Sequence, residues 1–181
     1  GEHFLNVDIR LCRSLTHVTG VGKLQSLKIH HCESLHTVNK VKDVADMSLE
    51  WCANLTDLSD ISRVGVLNIT SCAFPSLNMA RIDAQKVICK QSTVNNLSAL
   101  GSAKEIEFNN CHIPNSDLIH LRNVEKITIF NDEYLVDISM LDGVKELNII
   151  YGDNIENLKF PETCKLEKLV LIHCPKINDF S

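Results

Sequence analysis

The thiol side chains are the clearest candidates for chemistry in this sequence, because a thiolate can bind a metal ion, act as a nucleophile or form a disulfide. The chain has eight cysteines, and four of them follow one another at intervals of 20 residues: Cys12, Cys32, Cys52 and Cys72. Zinc sites use local C-x2–4-C pairs, and the sequence has none. We interpret the spacing as a buried structural column and predict no metal ion and no other cofactor. A metal site and a ladder of disulfides are the alternatives.

Motifs for other kinds of catalysis are missing from the sequence. The segment Gly20-Val-Gly22-Lys23 resembles part of a phosphate-binding loop, but that loop needs glycine at His17 and serine or threonine at Leu24. No G-x-S-x-G, H-E-x-x-H or dinucleotide-binding glycine pattern occurs. We therefore predict that the chain is not an enzyme. A catalytic site assembled from distant parts of the chain is the alternative.

Composition excludes further classes of protein. With 18 basic and 23 acidic residues, the net charge is -5, so we expect no nucleic-acid partner. The content of 44% hydrophobic and 23% charged residues is typical of a folded chain rather than a disordered one. The longest apolar runs, such as residues 169–172, are far shorter than the roughly 18 residues of a membrane helix. No membrane span is expected.

The period of about 20 residues extends through the whole chain. Two further columns keep this step; they are apolar and lie two residues apart, as on one side of a half-buried strand. The first column is Val7, Leu27, Met47, Leu67, Val87, Ile106, Ile127, Leu147 and Leu169, and the second is Ile9, Ile29, Leu49, Ile69, Cys89, Phe108, Ile129, Ile149 and Leu171. Such self-similarity predicts a stacked repeat with one strand in each repeat.

The part of each early repeat that follows the cysteine places apolar residues three apart, for example Leu15, Val18 and Val21. This spacing suits extended or 3-10 segments better than an α-helix with 3.6 residues per turn. A repeat of 20 residues also has too little chain for a strand, two turns and a long helix. We expect a thin outer wall that is only locally helical.

These columns resemble the leucine-rich repeat pattern L-x-x-L-x-L-x-x-(N/C)-x-L, which residues 24–32 and 166–174 match. In most repeats an aliphatic residue follows the cysteine position by three residues, and this spacing resembles that of the cysteine-containing variants of the family. The resemblance implies an α/β fold by family convention, mostly β: a right-handed solenoid of about nine rungs. It places a parallel sheet on the concave side and loops and short 3-10 turns on the convex side. We expect residues 1–181 to form a single solenoid domain, a fragment of a longer protein without complete end caps.

In such a repeat, the outward residues of the strands line a concave groove. The first two positions after the second apolar column hold the only tryptophan and several other large apolar residues. We predict that two patches at these positions bind a partner, the first formed by Leu11, His31 and Trp51 and the second by Phe130, Ile150, Tyr151 and Ile172. Exposed aromatic residues on a rigid sheet are typical of interface hot spots. One alternative is that they reflect only the β-propensity of aromatic residues, and another is that a flanking domain covers one of the patches.

The leading functional hypothesis is a non-catalytic interaction module, either a scaffold or a recognition arm. It would bind a protein or peptide on the concave face, and flanking domains of the same protein are expected as further partners. One alternative is the substrate-recognition region of a larger enzyme such as a ubiquitin ligase. Another is a surface-exposed adhesion or host-recognition protein. Because free buried thiols suit a reducing compartment, we expect a cytoplasmic location.

Overall fold

The computed structural model describes residues 5–74, 82–94, 97–156 and 158–178, which form a coiled stack of parallel strands. In this part of the chain, the main sheet has nine strands: β1 (Leu5–Arg10), β2 (His17–His30), β3 (Thr37–Glu50), β4 (Arg63–Thr70), β6 (Asp83–Lys90), β8 (Glu105–Asn109), β9 (Lys126–Phe130), β10 (Glu146–Ile150) and β11 (Lys168–Ile172). Two short strands, β5 (Ala73–Phe74) and β7 (Thr93–Val94), pair separately. The strands recur about every 20 residues and make a solenoid of about eight turns. The predicted mostly-β repeat architecture is confirmed.

The two apolar columns of the sequence form the inward side of the main sheet. Leu27, Met47 and Leu67 face one another in register across β2, β3 and β4, and each is at most 1% exposed. Since successive residues of a strand point to opposite sides, the polar residues between the columns lie on the outer face. At the two ends of the stack, inward residues such as Val7 and Leu169 are only partly buried, because a neighbouring strand covers them on one side alone.

The wall opposite the main sheet combines extended segments with 3-10 turns. β2 and β3 are each 14 residues long and already pair at His17 and Thr37, so their first halves belong to this wall. Later repeats have 3-10 turns there instead, at Ser98–Leu100, Asn115–Leu121 and Ser139–Leu141. Extended, hydrogen-bonded segments are therefore present in addition to the predicted loops and 3-10 turns. Among the described residues, no helix is both long and apolar enough to cross a membrane.

The cysteine column is a spine beside the sheet that is buried between its end members, since Cys12 is exposed and Cys174 is half-buried. All eight cysteines are free, and Cys52, Cys72 and Cys111 are at most 4% exposed. The Cys52 thiol donates to the carbonyl oxygen of Glu50 at 3.4 Å and also lies 3.7 Å from that of Ile29 in the preceding repeat. The other two thiols make equivalent pairs of contacts. Each of these thiols thus lies within hydrogen-bonding distance of two backbone carbonyl oxygens at the edge of the core, as expected for a structural column.

Candidate functional site

The residue directly after each strand of the main sheet adopts the left-handed backbone conformation. These nine residues have φ angles between 49° and 58°, and none of them is glycine. We call them the turn column: Leu11, His31, Trp51, Ser71, Gln91, Asn110, Asn131, Tyr151 and His173. A residue with a Cβ atom enters this region at a cost of about 1–2 kcal/mol, because Cβ approaches the following carbonyl oxygen. The stacked fold imposes this bend at every repeat.

Backbone hydrogen bonds hold the turn column in place. From Leu11 to Tyr151, each N–H donates to the carbonyl oxygen of the last strand residue in the next repeat, at 2.8–3.1 Å. The Trp51 amide, for example, donates to Thr70, and the Tyr151 amide donates to Ile172. The backbone is therefore fixed from one repeat to the next. The column presents a row of side chains about 4.8 Å apart, which is the spacing of neighbouring strands.

The structure divides the seven predicted partner-binding residues between two kinds of position. Four of them belong to the turn column and not to a strand: Leu11, His31, Trp51 and Tyr151. The other three end consecutive strands on the outer face of the sheet: Phe130, Ile150 and Ile172. From the sequence, all seven were expected on the strand face. The difference arises because the alternation of apolar and polar residues does not reveal where a strand turns into the left-handed bend.

The first patch, which we call the N-terminal patch, consists of Leu11, His31 and Trp51. The rings of His31 and Trp51 stack with their centroids 5.7 Å apart and their planes 6° from parallel. Trp51 is nevertheless 51% exposed, and Leu11 is 64% exposed. This stack fixes the tryptophan ring while leaving about half of its surface open to solvent.

The second patch, which we call the C-terminal patch, consists of Phe130, Ile150, Tyr151, Ile172 and, in addition, His173. The Phe130 and Tyr151 rings meet edge to face at 5.4 Å, and the Tyr151 and His173 rings lie 5.3 Å apart. Tyr151 and Ile172 are exposed, whereas Phe130 and Ile150 are partly buried. His173 is not among the binding residues predicted from the sequence. Its repeat position, equivalent to that of His31, is the signal that identifies it.

A polar segment of the turn column, formed by Ser71, Gln91, Asn110 and Asn131, separates the two patches. The Ser71 hydroxyl donates to the side-chain oxygen of Gln91 at 3.2 Å. The side-chain nitrogen of Asn131, Nδ2, donates to the side-chain oxygen of Asn110 at 2.5 Å. Asparagine tolerates left-handed backbone better than most residues, so two members of this segment suit the bend that they occupy.

A polar cleft of about 370 Å³ lies against this segment. Its walls are formed by Gln91, Ser92, Thr93, Asn110, Cys111, His112, Asn131, Glu133 and Tyr134. The rings of His112 and Tyr134 stack at 3.9 Å on its rim. This ring pair was not predicted from the sequence, since the two residues do not share a position in the repeat. Amide, carboxylate, hydroxyl and imidazole groups make the cleft suited to hydrogen bonding with a polar ligand.

Lysine and glutamate side chains alternate from strand to strand near the beginning of the strands, one residue before the first apolar column. The members of this ladder are Lys86, Glu105, Lys126, Glu146 and Lys168, with neighbouring nitrogen and oxygen atoms 2.6–3.8 Å apart. Lys168 lowers the pKa of the Glu146 carboxyl by its hydrogen bond, and the nearby lysine charges act in the same direction. Each charge has an opposite neighbour in register, and Lys86 also contacts Glu107 at 3.6 Å, so three lysines face three carboxylates on this part of the outer face.

One carboxyl group lies inside the cysteine column. Asp132 is 2% exposed, and its Oδ1 atom accepts hydrogen bonds from the amides of Tyr134 and Leu135 at 2.8 and 3.0 Å. Its Oδ2 atom has no hydrogen-bond partner in the described part of the chain. Burial raises the pKa of this carboxyl. The backbone hydrogen bonds to Oδ1 act in the opposite direction and offset part of this rise.

Metal-binding residues do not cluster in the described ranges, where no group of three or more histidine, cysteine, aspartate or glutamate side chains could hold an ion. Comparison of the chain with protein-family models, curated proteins and solved structures found no match. What the geometry offers is a rigid row of side chains with an apolar patch toward each end and a polar cleft between them. Such a row can contact another molecule over many repeats at once.

Proposed function

We propose that this chain is a non-catalytic interaction module of the leucine-rich-repeat type. It binds a protein or a peptide along the turn column and the adjoining edge of the sheet, through the N-terminal and C-terminal patches. The family assignment is supported by the leucine and cysteine pattern of residues 24–32 and 166–174 together with the parallel solenoid. Eight free cysteines, most of them buried, support a reducing, cytoplasmic environment.

The observation that carries this proposal is the presence of large aromatic residues in left-handed backbone. Glycine and asparagine are the usual residues at such bends. Trp51 and Tyr151 gain nothing there from β-propensity, since neither lies in a strand, and both remain exposed. Residues in sparsely populated backbone regions cluster at functional sites. Because the fold imposes the bend on all nine members of the turn column, the large exposed rings of Trp51 and Tyr151, and not the bend itself, are the functional signal. Contact with a partner is the gain that offsets their unfavourable position.

The strand residues of the C-terminal patch support the proposal less directly. Phe130, Ile150 and Ile172 end their strands, where β-propensity alone explains large apolar residues. They support the proposal because they extend the apolar surface of Tyr151 across three neighbouring repeats. Aromatic clusters of this kind commonly dominate the free energy of protein association.

The proposal is tested by affinity capture from the native source, followed by identification of the bound proteins. The chain is compared with a Trp51→Ala/Phe130→Ala/Tyr151→Ala variant. A matched control, Ile119→Ala/Val136→Ala/Met140→Ala, removes three exposed apolar residues that lie outside both patches. Each anchor lost should weaken binding by about 1–4 kcal/mol, so the first variant should lose a specific partner that the control retains. A partner retained by the first variant would contradict the proposal.

Stability measurements show whether Trp51 acts as a surface anchor or as a core residue. Leu35 is fully buried, and Leu35→Ala should lower the free energy of unfolding by about 2–5 kcal/mol. Trp51→Ala should cost about 1 kcal/mol, chiefly through loss of the stack on His31. Equal losses of stability in thermal or urea denaturation would show that Trp51 belongs to the core and that the assigned surface is wrong.

A further inference from the structure

We infer that the partner segment is an extended peptide with the pattern apolar-x-x-acidic-x-x-apolar, which lies across the repeats with its acidic residue at Lys90. This inference rests on the proposed function and adds to it the chemistry and the register of the partner. Three residues carry it: Trp51 in the N-terminal patch, Lys90 at the end of β6 and Phe130 in the C-terminal patch.

These three side chains are evenly spaced along the stack. Trp51 follows β3, Lys90 ends β6 and Phe130 ends β9, so two strand-to-strand steps separate each from the next. At about 4.8 Å per step, Lys90 lies about 10 Å from each anchor along the stack. An extended peptide advances about 3.3 Å per residue, so three residues cover that distance. Anchors at positions i and i+6 and a charged residue at i+3 therefore match the surface.

The residue at the midpoint carries a positive charge. Lys90 is exposed and forms no salt bridge with any residue in the described ranges, whereas Lys86 on the same strand contacts Glu105 and Glu107. The residues in register with Lys90 are Thr70 and Asn109, both uncharged. Between the two patches, the described strand ends and turn column thus carry one charged side chain, the unpaired cation of Lys90, while the Glu133 carboxylate lies in the adjoining cleft. A carboxylate is the complementary group.

The surface beside that cation has hydrogen-bonding capacity. A peptide main chain needs both donors and acceptors, and a carboxamide side chain supplies both. Gln91, Asn110 and Asn131 line the cleft of about 370 Å³ next to the turn column. The bond between the two asparagines uses one oxygen and one nitrogen atom and leaves the Asn110 nitrogen and the Asn131 oxygen without a partner in the described part of the chain. Uncharged polar residues at the x positions of the peptide suit this surface.

The test uses blocked synthetic peptides and the fluorescence of Trp51, which is the only tryptophan of the chain. The reference peptide contains phenylalanine, two serines, glutamate, two serines and phenylalanine, flanked by glycines. Companion peptides place the phenylalanines three or nine residues apart, and another replaces glutamate by glutamine. We expect the reference peptide to bind about tenfold more tightly than either misspaced peptide, as the loss of one anchor predicts. Isothermal calorimetry provides an independent measure of the same affinities.

The charge is tested with Lys90→Gln and with a control, Lys104→Gln, which removes an exposed lysine that precedes β8 at the other end of the strands. The glutamate peptide should bind about threefold more tightly than the glutamine peptide to the unmodified chain and to the control. This difference should disappear in Lys90→Gln. Thermal denaturation should show unchanged stability in both variants, since neither lysine forms a salt bridge in the described ranges.

Equal binding of all three spacings, or a glutamate preference that persists in Lys90→Gln, would overturn the inference. Absence of peptide binding would overturn it as well. The capture experiment keeps these failures separate from failure of the proposed function. A captured protein that depends on the two patches, while no peptide binds, would mean that the interaction site is correct and the peptide register is wrong. If no patch-dependent protein is captured and no peptide binds, both the proposed function and the peptide register are wrong.

Discussion

Two consecutive residues, Thr70 and Ser71, should respond to glycine in opposite directions. Thr70 ends β4 in extended backbone, whereas Ser71 has φ of 50° and belongs to the turn column. We compare alanine with glycine at each position. Both substitutions at Ser71 remove the hydroxyl that donates to Gln91, so the comparison isolates the effect of the Cβ atom. The result tests the backbone geometry on which the functional argument depends.

The expected magnitude follows from two opposing contributions. Left-handed backbone costs a residue with Cβ about 1–2 kcal/mol, which glycine avoids. Glycine loses about 0.5–1 kcal/mol more conformational entropy than alanine on folding. At Ser71 the difference favours glycine by about 0.7 kcal/mol. At Thr70 only the entropic contribution applies, and glycine should be less stable than alanine by about 0.5–1 kcal/mol.

Urea denaturation followed by circular dichroism measures the four variants under one set of conditions. With a slope of about 2.5 kcal/mol/M, the midpoint for Ser71→Gly should lie about 0.3 M above that for Ser71→Ala. The order should be reversed for the two Thr70 variants. If alanine is the more stable residue at both positions, the bend is not left-handed in solution. The argument that Trp51 and Tyr151 occupy unfavourable backbone would then be refuted.

Two further predictions concern the interior of the stack. A thiol reagent should modify the exposed Cys12 first and the half-buried Cys164 and Cys174 more slowly. It should reach the five buried cysteines only in denaturant. Rapid reaction of all eight thiols in the folded chain would contradict the buried column. Burial raises the pKa of Asp132, so its stabilising contribution is complete below the pKa of the unfolded chain, about 3.9, and is lost as pH rises through the folded pKa. The uncharged Asp132→Asn variant should therefore gain stability relative to the unmodified chain as pH rises above about 4 and through the folded pKa of Asp132, and a difference in urea midpoint that is independent of pH would refute this.

The strands and their register could be predicted from the sequence because they repeat. Leu27 and Ile29 recur as apolar residues in every repeat, and the structure places both columns inside the sheet. The cysteine column follows for the same reason, since cysteine recurs at the same position in six of the nine repeats. Periodicity identifies positions that every repeat uses in the same way.

Features that belong to one repeat, or to backbone conformation, could not be predicted. A left-handed bend is usually recognised by glycine, and the turn column has none, so Trp51 and Tyr151 resembled strand residues. The stack of His112 on Tyr134 joins different positions of two neighbouring repeats, which no column comparison reveals. The absence of a salt-bridge partner for Lys90 in the described ranges likewise depends on its uncharged neighbours in three dimensions.

Desolvation provides a further reason to place the binding site at the turn column rather than at the opposite end of the strands. At that opposite end, charges already pair between repeats, for example Arg63 with Asp43 at 2.9 Å and Lys168 with Glu146 at 2.6 Å. A partner that covers them must remove water from both charges of each pair, and their mutual attraction repays this cost only in part. At the turn column the exposed groups are aromatic rings, aliphatic side chains and neutral amides, which lose much less on leaving water. A partner therefore gains most where the strands end.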